Sequence, residues 1–134
     1  MRKSLCAAAL TLMLMPAMRV WAHHAFASEY DETKHVTVSG VVTEWKWTNP
    51  HVWMYVDQKD ASGKVTRWSF EMGSANGMTT RGWKKTDVKA GDQITVEGFG
   101  AKDDSNTANA ATVTLRDGRK LFGGFQQTPG APVK

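Results

Sequence analysis

Cysteine is almost missing from this 134-residue chain. The only one, Cys6, lies near the start, which excludes a disulfide frame, a Cys-ligated zinc site and a thiol nucleophile from everything after it. Long apolar runs are equally scarce. The longest, Leu5 to Met15, is too short for a helix across a bilayer of about 30 Å, which needs about 20 apolar residues. Catalytic signatures are absent too: neither Gly-x-Ser-x-Gly nor His-Glu-x-x-His occurs, and no carboxylates pair at an interpretable spacing. An enzyme is therefore the least supported class. Asp103-Asp104-Ser105-Asn106 lacks the glycine and distal glutamate of an EF-hand loop and reads as a solvated turn.

What is present begins with a secretory signal. Residues 1–22 run from Arg2 and Lys3 through the apolar stretch to Pro16 and then Val20-Trp21-Ala22, a plausible cleavage site. The product is expected to be periplasmic or secreted. Removing Arg2, Lys3 and Arg19 with the signal also removes most of the formal +4 charge, so the basic balance that suggests nucleic acid disappears. Ala25-Phe26-Ala27 is an alternative small-x-small site, and cutting there discards His23 and His24. Residues 23–125 suffice for one small domain. The tail over 126–134, with Pro129, Gly130 and Pro132, is expected to be disordered.

The domain reads as strands separated by turns. Val36 to Trp47 is rich in Val, Thr and Trp, with Gly40 suggesting a bulge or sharp bend. Thr48-Asn49-Pro50 breaks it; His51 to Gln58 and Val65 to Met72 form a hairpin about Asp60-Ala61-Ser62-Gly63. A short helix is expected around Gly77 to Lys85, then strands at Gln93 to Phe99, Ala111 to Leu115 and Lys120 to Phe122, with Lys102 to Asn109 as a polar loop. Three strands, a helical connector and further strands, the first long and bent, is the order of an all-β, OB-like barrel. A small open sandwich is the alternative.

Alternation places Val52, Met54 and Val56 inside, and His51, Trp53, Tyr55 and Asp57 on the other face. Likewise Trp68, Phe70 and Met72 suit the core, leaving Arg67, Ser69 and Glu71 outward. Trp53, Tyr55, Arg67 and Glu71 thus form a candidate face for a glycan, a small envelope ligand or a partner protein. The alternative is that Trp53 and Tyr55 only complete the packing beneath another segment.

The chain resembles a family of small exported bacterial proteins known as a domain of unknown function. The residues carrying the resemblance are Ala22-His23-His24-Ala25-Phe26, Glu44-Trp45-Lys46-Trp47-Thr48-Asn49-Pro50-His51-Val52-Trp53, Trp68-Ser69-Phe70-Glu71, Arg81-Gly82-Trp83 and Gly91-Asp92-Gln93-Ile94-Thr95-Val96-Glu97-Gly98. The chain departs from the pattern at Ala25, where serine is usual, and at Ala75, where proline is usual. The resemblance implies export and a small β fold; it supplies no chemistry.

The chemistry comes from the residues. Cleavage after Ala22 would leave a free amine, with an ordinary pKa of about 7.7 to 8.0, beside the imidazoles of His23 and His24. All deprotonate at little cost near neutral pH, and such nitrogen donors favour Cu(II) among divalent first-row metals. His51, just after the Asn49-Pro50 turn, is the candidate third imidazole, giving an arrangement similar to the histidine brace of exported copper proteins. His35 and Met54 are weaker candidates. The competing readings are a solvated histidine arm and a His51 that merely ends a turn.

Overall fold

A computed structural model describes residues 26–124. Residues 1–22, His23, His24 and the tail over 126–134 lie outside the described residues. Helical residues 26–29 lead into β1 (Tyr30–Lys46), β2 (Trp53–Lys59) and β3 (Val65–Glu71). Then come α1 (Ala75–Thr80), a 3-10 turn (Lys85–Asp87), β4 (Gln93–Ala101), β5 (Thr107–Thr114) and β6 (Lys120–Phe122). Among the described residues no helix is long and apolar enough to cross a membrane.

The strand order is β3-β2-β1-β4-β5-β6, and β3 also pairs with β5, so five strands close into a ring. The closing ladder is parallel and the others are antiparallel. This is the OB-like barrel. Its continuity depends on β1, whose first part pairs with β4 up to Val41↔Gln93 and whose second pairs with β2 from Val41↔Asp57 onward. Gly40 sits at the changeover, where a Cβ would overlap the Asp57 carbonyl. The bulge itself lies elsewhere: the β1–β2 register slips between Val42 and Glu44, not at Gly40.

Three boundaries differ from the sequence reading. β1 begins at Tyr30, six positions before Val36, because Tyr30 pairs with Ala101 and the Glu29 carbonyl accepts from the Lys102 amide at 2.9 Å. β5 begins at Thr107, so the last three residues of the expected polar loop are strand; Thr107, Ala108 and Asn109 supply the ladder to β3. Closure, a long-range event, sets that boundary. The helix occupies 75–80, not 77–85, because Ser74 caps it by accepting from the Gly77 amide at 3.0 Å. Its end is followed by Gly82, with φ at +94°.

Val52, Met54, Val56, Phe70 and Met72 fill the interior together with Val96 and Val113, and α1 adds Met78 ahead of Trp83. Trp83 also donates from Nε1 to the Phe122 carbonyl at 2.8 Å, tying the connector to β6. A second apolar cluster, Phe26, Tyr30, Phe99, Ala101 and Ala111, is separate from this core. Phe99 and Ala101 alternate with the inward residues of β4, so this cluster lies on the outer face of the barrel and the amino-terminal segment covers it.

Candidate functional site

The β2–β3 ladder sets the geometry. Trp53 stands opposite Glu71, and the pairing continues past the end of β2: Val52 donates to the Gly73 carbonyl and accepts from the Met72 amide, both at 2.9 Å. Val52 is fully buried, so His51 must alternate back to the face of Trp53 and Glu71. The Thr48 hydroxyl donates to the His51 carbonyl at 2.9 Å and holds the turn. His51 Nδ1 meets Glu71 Oε1.

Glu71 is on the outer face yet only 6% exposed. The reason is Tyr30, which lies over it and donates its hydroxyl to Glu71 Oε2 at 2.5 Å. Tyr30 itself packs against Phe26, with ring centres 5.5 Å apart, and Phe26 in turn meets Phe99 at 6.0 Å. Burial first, and then the hydrogen bond to Glu71 and its charge, push the Tyr30 phenol well above the usual tyrosine range. Tyr30 is therefore a neutral donor. Beside this group, Asn109 pairs with Glu71 across the closing ladder; it is 1% exposed and, among the described residues, its Oδ1 has no hydrogen-bond partner.

The expected outer face is thus divided. His51, Trp53 and Glu71 come together at one end. Arg67 lies four positions along β3, about 13 Å away at strand spacing, and makes a two-pronged pair with Asp57, Nε–Oδ1 2.8 Å and Nη2–Oδ2 3.1 Å. That contact holds the Asp57 carboxyl below its usual range. Tyr55, opposite Ser69, has the Lys46 ammonium 5.0 Å from its ring centre. Met54 is buried in the core, and His35 packs its ring 5.2 Å from that of Phe99.

Alternation leaves out two members of this patch: Tyr30, in the polar stretch before the expected first strand, and Asn109, in the expected loop. No local signal marks either. Among the described residues no three His, Cys, Asp or Glu side chains gather as a metal-ligand set. What they offer is one imidazole with its orientation fixed by a buried carboxylate. Next to it, Trp53 and Tyr30 line a cleft of about 360 Å³ with Glu29, Lys102, Ser105 and Thr107.

Fold and site define a single OB-like barrel with an imidazole, a carboxylate and a phenol joined on its closing strand. The profile of a family of unknown function (DUF6152) matches residues 11–110, and the chain belongs to that family. No curated protein matches the chain. A solved structure similar to it is the mitochondrial single-stranded DNA binding protein Rim1 of S. cerevisiae. The identity is 11%, with 61% of this chain and 92% of that one covered, at a TM-score of 0.49.

Proposed function

We propose that the protein is exported and, after cleavage behind Ala22, binds Cu(II) through the new amino terminus, His23 and His24, with His51 as a further imidazole. One observation carries this reading: Tyr30 and His51 share the carboxylate of Glu71. Phe26 is clustered with Tyr30, and His24 precedes it by two residues, a reach of at most about 7 Å of chain. His23 and His24 thus lie within three residues, along the chain, of the ring that packs on Tyr30. His51 also has the support that metal-binding imidazoles usually carry, a carboxylate on the nitrogen away from the metal.

Burial of Phe26 bears on the cleavage site. Phe26 is 5% exposed and packs on Tyr30 and Phe99, so processing after Ala27 would strip the outer cluster of its covering ring. Processing after Ala22 preserves it. Copper is the expected metal because amine and imidazole donors follow the Irving–Williams order.

The test is native mass spectrometry of protein matured in a bacterial periplasm, with one equivalent of Cu(II) and a competing chelator. A mass beginning at His23 that retains copper, weakened by His51→Ala, supports the reading; a mass beginning at Ser28, or copper lost to a weak competitor, refutes it. The cleft beside Trp53 favours a second reading, a non-metal ligand such as a glycan or small envelope molecule held on that ring. Under it, Trp53→Ala abolishes ligand binding and leaves copper affinity intact.

A further inference from the structure

We infer that the cleft beside Trp53 binds a small organic ammonium ion, held by the indole face and by the carboxylates of Glu29 and Asp103. This rests on the non-metal reading of the cleft and not on copper. Glu29 ends the helical segment before β1 and Asp103 follows β4; the Lys102 amide donates to the Glu29 carbonyl at 2.9 Å and sets the two stretches side by side. Both residues line the cleft. Their charges bear on the phenol of Tyr30, which lines it too. Several other carboxylates of the barrel are matched by cations: Asp57 by Arg67, Glu97 by Lys120, Asp104 by Lys34 and Asp117 by Arg119. Among the described residues no ion pair engages Glu29 or Asp103. Lys102 also lines the cleft, but its ammonium donates to the Ala27 carbonyl at 2.5 Å.

An ammonium ion fits these walls better than a sugar or an anion. Trp53 is half-buried and fixed by its place opposite Glu71 in the ladder, so its ring is a rigid surface, and an indole face attracts a cation through its negative quadrupole. Two carboxylates at the rim add charge of the complementary sign. A neutral sugar could stack on the same ring but gains nothing from that sign, and an anion is repelled by it. At about 360 Å³ the cleft lies near the lower end of the range for small-molecule sites, about 300–1,000 Å³, which suits a compact cation. Phosphocholine-type zwitterions fit less well, because their phosphate meets the same carboxylates.

The experiment titrates choline into the metal-free mature protein and follows the Trp53 indole N–H and the Ser105 and Thr107 amides by heteronuclear NMR. Its controls are the neutral isostere of choline, with carbon in place of the charged nitrogen, then phosphocholine and N-acetylglucosamine. Saturable shifts at all three positions are expected with choline, and binding weaker by roughly tenfold or more with each control. Combining Glu29→Gln with Asp103→Asn should weaken choline by roughly tenfold, leave the isostere unchanged and flatten the salt dependence. Both side chains are exposed, so the double variant keeps the fold. Equal affinity for choline and its isostere, phosphocholine bound as tightly as choline, or a double variant with unchanged choline affinity overturns the inference. Shifts at Trp53 with the sugar and none with choline overturn it while leaving the non-metal reading in place. Should no probe move the Trp53 signal, that reading falls with it.

Discussion

Replacing Tyr30 by Phe removes one oxygen and leaves the ring packing against Phe26, within the outer apolar cluster, in place. The loss falls on Glu71, which is 6% exposed and, among the described residues, then keeps its contact with His51. A hydrogen bond to a charged group contributes about 1.5–3 kcal/mol, so Tyr30→Phe should lose about that much at neutral pH. Urea unfolding at pH 7 measures it, and an unchanged denaturant slope would show that the surface exposed on unfolding is the same. A second signature comes from linkage. The Tyr30 phenol is raised in the folded state, so above the unfolded value of about 10 the unfolded chain releases a proton that the folded one keeps. Stability associated with Tyr30 is then fully present below pH 10 and is lost as pH rises toward the folded value, by about 1.4 kcal/mol per pH unit. The phenylalanine variant lacks that slope, so the gap between the two proteins should narrow above pH 10. A loss below about 0.5 kcal/mol at pH 7, with parallel pH curves, would refute the view that this hydroxyl satisfies a buried carboxylate.

Phe26→Ala should cost about 3 kcal/mol in a thermal or urea melt, since it empties a buried ring site; a change within 0.5 kcal/mol would mean that the segment does not cover the barrel. Asn109→Val should raise the melting temperature. It removes a buried oxygen with no partner among the described residues, a burden of about 1–3 kcal/mol, and a fall instead would show that the amide has a structural use. Ser74→Ala should cost about 1 kcal/mol through the lost cap of α1, whereas Ser74→Asn should recover most of it.

The hairpin of β2 and β3 was legible because its signals are local: alternation in Val52, Met54 and Val56, a turn at Asp60 to Gly63, and alternation again through Phe70 and Met72. The same alternation placed His51, Trp53 and Glu71 on one face. It said nothing of Tyr30, which reaches Glu71 across 41 residues and does so only because the strands close into a ring. Asn109 was illegible for the same reason, since its stretch becomes strand by pairing with β3. Gly40 shows the limit in another form. A glycine in a strand signals something unusual in the backbone, but composition does not distinguish a bulge from a close approach, and here it is the Asp57 carbonyl that excludes a side chain.

The ladder that closes the barrel has three register pairs, Ser69↔Thr107, Phe70↔Ala108 and Glu71↔Asn109. Its last pair is also the floor of the candidate site. A molecule that tightens the contacts of Glu71 therefore fastens the seam of the cylinder, and one that pulls Tyr30 away loosens it. Occupancy of the site by a proposed ligand should be readable far from it, as slower or faster amide exchange along β3 and β5, through the strength of the barrel's own closure.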